Sequence, residues 1–555
     1  MSAPDTMNSR PGKFRAFPKG RQVDVGALEE IRALLADRAR HSHLLIEHLH
    51  LVQDHYGHIS ARHLAALAEE LKLSQVEVYE VATFYAHFDV IRENDSPPPA
   101  LTVRVCDGIA CELAGANGLM DALKQGLGDA VRVIPTPCIG ACDQAPAAVV
   151  GQNRILAADL ATVSAAVKAN AIDPQIAAYV DYDAYVAEGG YRVLKSCLAG
   201  ERDRDDVLSE VENSGLRGLG GAGFPVARKW RFMLDAPHPR LMAINADEGE
   251  PGTYKDRHCL ETDPHRVIEG ALIAAWIIEA NEIYIYLRDE YAAIRHILQT
   301  EIDRVVAAGL NGNVTLHLRR GAGAYICGEE SALLESLEGK RGLPRNRPPY
   351  PAQSGLFERP TLINNVESMF WLRRIIEGGA EACQESGRPH FYSLSGPVND
   401  PGVKLAPAGV TVRQLIDDYG GGMAPGHTLK AYLPGGASGG ILPASLADLP
   451  LDFGSLEEYG CFVGSAAVVV ISDHDDLADV VRNLVRFFED ESCGQCTPCR
   501  AGCEKLSILL KEPHWDEDLI GELASVMTEA SICGLGQAAA NPVISALRFL
   551  KDELA

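Results

Sequence analysis

The sequence predicts a mixed α/β protein of several domains. Its 555 residues exceed what one domain of about 100–200 residues holds. Hydrophobic residues make up 46% of the chain and charged residues 23%, which is typical of globular proteins. Segments of helical and strand periodicity alternate along much of the chain, as they do in layered α/β domains. This composition excludes a disordered chain and a small disulfide-stapled scaffold.

The charge balance limits the kinds of partner that the chain can bind. The chain has 51 basic and 76 acidic side chains, a net charge of −25, which repels nucleic-acid phosphates and anionic lipid surfaces. We therefore expect neither a nucleic-acid nor a membrane partner. Residues 1–24 carry basic residues without a following apolar stretch, so they predict a flexible tail and no secretory signal. We expect a cytoplasmic location, where the 14 cysteines serve as metal ligands or buried thiols.

Residues 25–93 are predicted to form a helical bundle. Leu64, Leu67 and Leu71 share one helix face, and a capping box from Ser74 to Glu77 starts the next helix. The segment also carries a run of histidines, which are His41, His43, His48, His50, His55, His58 and His63. No carboxylate or thiol completes a coordination pattern with them, so we expect helix-surface residues and no metal site.

The remaining chain predicts further units in order. After the proline-rich breaker at 94–99, strands are predicted at 101–105, 131–134 and 147–150, and helices at 119–127 and 157–169, in a compact α/β unit. From about residue 180 to 374, strands at 240–244 and 282–287 alternate with helices. Residues 391–472 carry short strands and many glycines, and the chain from 477 onward is helical. We found no internal repeat.

The C-terminal cysteines have the spacing of an iron–sulfur site. Cys493, Cys496 and Cys499 form C-x2-C-x2-C, and Cys533 follows at a distance. One loop can supply three corners of a [4Fe–4S] cubane while a remote residue supplies the fourth. Zinc sites favour two C-x2-C pairs instead. Cys503 lies one helical turn beyond Cys499 and is interpreted as a spare thiol.

A second group of cysteines lies in the 100–172 unit. Cys106 and Cys111 form C-x4-C, and Cys138 and Cys142 form C-x3-C, each pair directly after a predicted strand. These wide loops leave room for hydrogen bonds from backbone amides to the bridging sulfides of a [2Fe–2S] cluster. Zinc is the second interpretation, and a redox disulfide pair is the third. The other cysteines are predicted to be buried thiols, namely Cys197, Cys259, Cys327, Cys383 and Cys461.

Two glycine-rich segments and an acidic turn are candidate nucleotide contacts. Residues 218–223 match G-x-G-x-x-G, but the segment before them is helical, which argues against an ordinary Rossmann fingerprint. Glycines there still allow backbone amides to approach a phosphate. Residues 244–252 end a strand with three acids in four residues. Residues 321–330 lead into a helix whose amides would attract phosphate, followed by a basic, proline-rich loop at 340–351 and an amide-rich run at 360–367.

Together these motifs resemble one family. Residues 217–225, 245–257 (NADEGEPGTYKDR), 321–330 and the run ESCGQCTPCR are similar to the flavin subunit of respiratory complex I and its soluble relatives, over about residues 180–555. Residues 25–170 resemble the small [2Fe–2S] subunit of the same module. The resemblance implies a helical bundle (25–93), a thioredoxin-like [2Fe–2S] domain (100–172), a Rossmann-like FMN/NAD(H) domain (178–388), a β-grasp-like domain (389–472) and a helical [4Fe–4S] domain (473–555).

The resemblance also implies the cofactors FMN, NAD(H), a [4Fe–4S] and a [2Fe–2S] cluster. The implied FMN contacts are Gly218, Gly220, Gly221, Lys229, Asn245, Asp247, Glu248, Tyr325, Gly328, Glu329, Asn364 and Asn365. Phe224 and Phe232 would stack on the adenine of NAD(H), and Glu250 and Arg347 would contact the nucleotide. Arg347 replaces a lysine of complex I, which keeps the charge and changes the contact geometry. No side chain need donate a proton in hydride transfer, so no catalytic residue is predicted.

The fusion of both subunits in one chain reduces the number of relatives that this chain resembles throughout its length. It resembles the diaphorase subunit of NAD-reducing hydrogenases and the beta subunit of molybdenum- or tungsten-dependent formate dehydrogenases. The hydrogenase proteins usually read GDEGDPGAFMDR where this chain reads ADEGEPGTYKDR. This difference favours a formate dehydrogenase, with a molybdenum- or tungsten-pterin catalytic subunit that carries iron–sulfur clusters as the partner. The alternatives are a hydrogenase diaphorase, a fused complex I-type module and, from a different class, a zinc-binding interaction scaffold.

Overall fold

The computed structural model describes residues 21–92 and 94–554. Most of the tail predicted at residues 1–24 lies outside the described residues. Asp24 caps the first helix, since its carboxylate accepts a hydrogen bond from the Ala27 amide at 2.7 Å. The capping box predicted at Ser74 is confirmed, with Ser74 and Glu77 bonded reciprocally. The N-terminal elements are α1 (Val25–Leu35), α2 (Leu45–Tyr56), β1 (Ile59–Ser60), α3 (Ala61–Leu71), α4 (Gln75–Phe84) and β2 (Val90–Ile91).

The histidines of this bundle differ from the prediction. His48, His50 and His63 are buried, with 3% or less of each side chain exposed. His63 is buried inside the bundle, where its ring stacks on Tyr56 and pairs with Glu30. His50 is buried where the bundle packs against the central domain, a contact that helical periodicity alone does not reveal. For example, the ring of His50 hydrogen-bonds the backbone carbonyl of Gly321, 271 residues away, at 2.8 Å.

The next unit is the α/β unit predicted at 100–172. Its sheet has the strand order β4-β3-β5-β6, in which β3 and β4 are parallel and the other pairs antiparallel. Strand β6 is an addition to the predicted strands, and β5 with β6 forms a short hairpin. The elements are β3 (Leu101–Cys106), α5 (Ile109–Leu113), α6 (Ala116–Leu127), β4 (Val131–Thr136), β5 (Ala148–Val150), β6 (Asn153–Ile155) and α7 (Leu160–Lys168).

The central domain is built on a parallel sheet in the order β10-β7-β8-β9. Strand β7 is central and almost wholly buried, as its apolar sequence predicts. Its elements are α8 (Tyr182–Ala187), α9 (Arg192–Leu198), α10 (Arg204–Asn213), α11 (Val226–Leu234), β7 (Arg240–Ala246), α12 (Lys255–Thr262), α13 (Pro264–Ile278), β8 (Ala280–Leu287), α14 (Ala292–Ala307), β9 (Thr315–Arg320), α15 (Glu330–Leu337), β10 (Thr361–Asn365), α16 (Val366–Phe370), α17 (Leu372–Gly378) and α18 (Ala380–Glu385).

A mixed sheet and a helical region complete the chain. The sheet has the order β12-β11-β15-β13-β14. Its elements are β11 (His390–Ser395), β12 (Gly402–Ala406), α19 (Val412–Gln414), β13 (Leu429–Leu433), β14 (Leu442–Pro443) and β15 (Ala467–Ser472). The helices are α20 (Leu477–Asp490), α21 (Thr497–Leu509), α22 (Glu517–Ala530), α23 (Gly534–Ala538) and α24 (Asn541–Phe549). Across the described ranges, no helix is both long enough and apolar enough to cross a membrane.

Candidate functional site

The C-terminal cysteines meet in one place. Cys493, Cys496, Cys499 and Cys533 line a single small cavity, together with Ile326 and Pro344 of the central domain among other residues. Cys496 directly precedes α21 and Cys533 directly precedes α23, so the first turns of these two helices fix the positions of both cysteines.

The thiols of this cavity fit a [4Fe–4S] cluster. Four sulfur ligands surround one volume, as a cubane requires. Cys503, the predicted spare thiol, is buried in α21 and does not line the cavity. A hydrogen bond from Cys503 lowers the pKa of the Cys499 thiol, which favours the thiolate that binds metal.

The N-terminal cysteines also converge. Parallel β3 and β4 end side by side at Cys106 and Thr136, so the loops after them are adjacent. The Sγ atoms of Cys138 and Cys142 are 3.4 Å apart, and all four thiols are buried. Gly108 faces this group, and a Cβ there would lie 3.1 Å from the Cβ of Cys138.

Two arginines of the central domain hold this thiol loop. Arg288 donates to the carbonyl of Cys138 at 2.6 Å, and Arg257 donates to the carbonyl of Gly140 at 2.7 Å. The four buried thiols and the close glycine fit a [2Fe–2S] cluster packed directly against the central domain. Among the predicted buried thiols, Cys383 is only half-buried, because short α18 lies at the surface.

A large cleft opens at the carboxyl ends of β7 and β10. The volume of the cleft is about 1140 Å³. It lies at the carboxyl ends of parallel strands, where α/β sheets bind ligands. Ten residues predicted from the sequence line it, and these are Gly218, Gly220, Phe224, Lys229, Phe232, Asn245, Gly328, Arg347, Asn364 and Asn365. The cleft therefore brings together residues that lie up to 147 positions apart in the chain.

The glycine-rich loop forms one wall of the cleft. The Gly218 amide donates to the carbonyl of Phe224 at 2.8 Å, which closes the loop between α10 and α11. A Cβ on Gly220 would lie 3.1 Å from the Cβ of Asn365, so this loop needs glycine to approach β10. Gly221 has φ 127° and does not line the cleft. The helix before the loop is confirmed, so the loop is no ordinary Rossmann turn.

Two exposed phenylalanines stand at the mouth of the cleft. Phe224 and Phe232 are 41% and 50% exposed, and their ring centres are 6.4 Å apart. The guanidinium of Arg228 lies over both rings, at 5.7 and 5.9 Å. Lys229 pairs with Glu330 at 3.3 Å across the cleft. Exposed aromatic rings next to cationic groups are suited to a base and its phosphates.

Six predicted contacts lie outside this cleft. Asp247 and Tyr325 line a second cavity of about 90 Å³, which also reaches the thiol-loop residue Ile139. Burial raises the pKa of Asp247 well above its ordinary value, and its Oδ2 has no hydrogen-bond partner among the described residues. Glu250 accepts hydrogen bonds from the Tyr325 hydroxyl and from Ser438. Gly221, Glu248 and Glu329 are the other three.

Two of these acids cap helices. The Glu248 carboxylate accepts the amides of Asp256 and Arg257 in the first turn of α12, at 2.7 and 2.9 Å. Burial raises the pKa of Glu248 to about 7. Glu329 caps α15 in the same way, at Ser331 and Ala332, and pairs with Arg347. The α15 amides predicted to attract a phosphate therefore bond the protein's own carboxylate.

Sequence reasoning missed several residues of the cleft. Arg228, Glu330 and Tyr350 line it. Arg228 and Glu330 are each one position from a predicted contact, and Tyr350 belongs to the proline-rich loop that was predicted to cover a nucleotide. The sequence signal for these residues was their closeness to predicted contacts, and only the fold shows which side chains face the cleft.

The fold and its sites define a class of protein. Two sets of four cysteines, each suited to an iron–sulfur cluster, flank an α/β domain with a nucleotide-sized cleft. This arrangement is that of a redox subunit. Family models match all three regions. These are the Nuo51 FMN-binding domain at residues 211–374, the thioredoxin-like [2Fe-2S] ferredoxin at 31–171 and the NADH-ubiquinone oxidoreductase-F iron-sulfur binding region at 479–555.

Curated relatives agree with these matches. The F 2 subunit of NADH-quinone oxidoreductase in Rhizobium meliloti (strain 1021) is 41% identical over 389 residues, which cover 66% of this chain and 92% of that protein. The corresponding F subunit of Aquifex aeolicus (strain VF5) is 39% identical over 393 residues, covering 67% and 90%. A crystal structure of an NAD+-reducing [NiFe]-hydrogenase in the H2-reduced state contains a chain that matches with TM-score 0.82 and 31% identity, over 93% of both chains.

The chain belongs to the family of the NADH-quinone oxidoreductase F subunit, here fused to a thioredoxin-like [2Fe–2S] domain. Its cofactors are FMN, a [2Fe–2S] cluster, a [4Fe–4S] cluster and NAD(H), as predicted. It is an oxidoreductase subunit of NADH dehydrogenase or diaphorase type. The matched iron–sulfur families exclude the interpretation of the cysteines as structural zinc ligands.

Proposed function

We propose that this chain is the NAD+-reducing subunit of a complex whose other subunits supply the electrons. One observation carries the proposal. In the single turn Tyr325–Gly328, Ile326 lines the C-terminal thiol cavity while Gly328 lines the cleft. The cluster site and the nucleotide site are therefore neighbours across one turn of backbone. FMN, when bound, links the one-electron chemistry of the clusters to hydride exchange with NAD(H).

The cleft residues would hold FMN and the dinucleotide. We propose that the amides of the glycine loop and Lys229 bind the FMN phosphate, and that Asn245, Asn364 and Asn365 contact its ring and ribityl chain. Phe224 and Phe232 would stack on adenine, and Arg347 would bind the nucleotide phosphates. These contacts orient the nicotinamide toward the flavin, which is the protein's main contribution to hydride transfer.

The six predicted contacts outside the cleft divide into two groups. Asp247 and Tyr325 line the second cavity, which also reaches the N-terminal cysteine loop, and we propose that they contact the flavin from that cavity. We propose that Gly221, Glu248, Glu250 and Glu329 act chiefly through the backbone they shape. Glu248 and Glu329 hold helix starts, and Glu250 joins Tyr325 to Ser438.

The domain boundaries are also part of this proposal. We propose a helical bundle at 25–93, a thioredoxin-like domain at 100–172, a Rossmann-like FMN/NAD(H) domain at 178–388, a β-grasp-like domain at 389–472 and a helical [4Fe–4S] domain at 473–555. The separate sheets support the middle three, since each domain has its own strand order. We propose a cytoplasmic location because thiol-ligated clusters need a reducing compartment.

We further propose that the partner is a molybdenum- or tungsten-pterin formate dehydrogenase subunit with its own iron–sulfur clusters. The sequence ADEGEPGTYKDR, which departs from the hydrogenase pattern, supports it. Within that run, Lys255 is buried and pairs with Asp256 at 2.7 Å and Glu367 at 3.1 Å. Hydrogenase diaphorases usually have methionine there, which could not balance two buried carboxylates. The run thus distinguishes how the cores of the two lineages pack.

A hydrogenase diaphorase is the second candidate. It is favoured by the match to the NAD+-reducing [NiFe]-hydrogenase chain, which extends over 93% of this chain and so includes the fused N-terminal part. The two candidates share every step on this subunit and differ in the electron donor.

Purification of the tagged chain with its natural partners tests both the role of this subunit in NAD+ reduction and the identity of its partner. We expect mass spectrometry to identify a pterin-binding formate dehydrogenase subunit, and the complex to reduce NAD+ with formate and not with H2. Recovery of hydrogenase subunits with H2-dependent NAD+ reduction would overturn the formate proposal alone. A complex that contains FMN and clusters but exchanges no electrons with NAD(H) would overturn the subunit's proposed role.

A further inference from the structure

We propose that His50, Asp54 and His87 form a zinc site at the joint between the N-terminal bundle and the central domain. One ligand atom from each of these side chains lies within 4.8 Å of the other two. Imidazole and carboxylate are common zinc ligands, and three protein ligands with a water in the fourth position are a frequent zinc arrangement. None of the three residues is one of the clustered cysteines or lines the nucleotide cleft, although His87 borders the second cavity.

The helix and the turn that carry these residues are firmly placed. His50 and Asp54 are four residues apart on α2, so they share one helix face. His87 lies in the turn after α4. That turn is fastened to the central domain by two backbone hydrogen bonds, from Ala86 to Gly323 and from His87 to Ala322, at 3.2 and 3.1 Å.

Each imidazole uses one nitrogen for a hydrogen bond to an acceptor. His50 Nε2 donates to the Gly321 carbonyl at 2.8 Å, and His87 Nδ1 pairs with Asp289 at 2.6 Å. The Asp289 carboxylate also pairs with Arg320, so it is held in place as the acceptor for this ring. Metal-binding histidines have this arrangement, in which a carbonyl or carboxylate fixes the tautomer and leaves the other nitrogen free to bind the metal.

The other two nitrogens have no such bond. Among residues 21–92 and 94–554, His50 Nδ1 and His87 Nε2 are both buried and have no hydrogen-bond partner. Only 3% of His50 is exposed, and the two rings are 4.9 Å apart. A buried polar atom without a partner is energetically unfavourable. A zinc ion bound to both nitrogens would remove that cost.

Asp54 completes the set from the solvent side. It is exposed, so an ion can enter beside it and its side chain can adjust. Tetrahedral zinc with bonds of about 2.1 Å sets its ligand atoms about 3.4 Å apart, so a modest side-chain movement closes the site. Arg320 pairs with Asp54 at 2.6 Å, and a carboxylate has enough lone pairs to bind the guanidinium and a metal together. The ion would then join α2 to the turn after α4, beside the central domain.

Zinc analysis of the full-length, cofactor-loaded chain tests this site. The chain is incubated with zinc sulfate and desalted, and zinc and iron are measured in the same sample. We expect one zinc per chain in the wild type and a loss of at least tenfold in affinity in His87→Gln, Asp54→Asn and His50→Gln, with iron unchanged. His48→Gln is the matched control, since His48 lies on the same helix, is buried and also has an unbonded Nδ1, but is not in the group.

The three variants differ in their risk of misfolding, since His50 is buried and Asp54 is exposed. Equal zinc binding by the wild type and by folded Asp54→Asn and His87→Gln would overturn the proposal. Absence of zinc binding by the wild type with full iron content would also overturn it. Loss of zinc in the three variants and retention in His48→Gln would support it.

Discussion

The backbone amide of Tyr325 donates a hydrogen bond of 2.8 Å to the carboxylate of Glu491. Tyr325 begins the turn that borders the nucleotide cleft, and Glu491 lies two residues before Cys493. The ring of Tyr325 also packs against Phe487 of α20, with ring centres 5.0 Å apart. The nucleotide domain and the C-terminal cysteine site are therefore fastened to each other at the turn that borders both sites.

We expect Glu491→Ala to lower the free energy of unfolding by about 1–3 kcal/mol, because a buried amide loses its acceptor. Glu491→Gln keeps an acceptor oxygen and should lose less. Unfolding of both variants by denaturant measures the difference. Equal stability of wild type and Glu491→Ala would show that this bond does not fasten the two domains.

Removal of one exposed ring should weaken nucleotide binding specifically. We expect Phe232→Ala to raise the KM for NADH about tenfold with little change in kcat, equivalent to roughly 1.4 kcal/mol of lost stacking. Tyr79→Ala removes an equally exposed ring from the bundle and serves as control. Steady-state kinetics with NADH and an artificial acceptor provide the measurement. An unchanged KM in Phe232→Ala would exclude this ring from the nucleotide site.

Acid should destabilise the chain partly through His390. Burial lowers the pKa of His390 from 6.5 to about 4. Between these values the unfolded chain binds more protons than the folded chain, so the free energy of unfolding falls as pH decreases through this window. We expect the loss between pH 7.5 and 5 to be about 2 kcal/mol smaller in His390→Gln than in the wild type.

Unfolding by guanidinium at both pH values measures this difference, and exposed His238→Gln should behave like the wild type. If His390→Gln and wild type lost stability equally on acidification, the histidine would not be the group that titrates.

The N-terminal cluster should be separable from turnover. We expect Cys138→Ser to abolish a [2Fe–2S] signal in EPR spectra of the reduced protein, with at most partial loss of formate-dependent NAD+ reduction. Cys197→Ser, a buried thiol outside both groups, should change neither. Unchanged iron content in Cys138→Ser would remove the cluster from this domain. Complete loss of turnover with FMN and the other cluster intact would place it on the obligatory path.

Local patterns predicted much of this molecule. The C-x2-C-x2-C spacing predicted that Cys493, Cys496 and Cys499 would meet because they lie in one loop, and the strand-then-cysteine pattern predicted the second cluster of cysteines. The cleft was found through glycines and amides at strand ends. An acid after a strand can bind a ligand or cap the next helix, and the cap that Glu248 forms depends on where α12 begins, which the sequence pattern does not reveal.

Contacts between distant segments were beyond sequence reasoning. His50 looks like a surface histidine in helical periodicity, yet it is buried because the central domain covers it. Its relationship to His87 and Asp289 depends on how two domains dock, which no spacing within either segment encodes.

The most direct test of the central claim compares two rates in Cys496→Ser within the assembled complex. This change should remove the cluster beside the cleft and leave FMN bound, while Cys197→Ser, at a buried thiol outside both groups of cysteines, should leave both intact. We predict that Cys496→Ser still oxidises NADH with an artificial acceptor at a rate near that of the wild type, and that formate-dependent NAD+ reduction collapses. Formate-dependent NADH production at the wild-type rate in Cys496→Ser, with the cluster shown to be absent, would contradict the account.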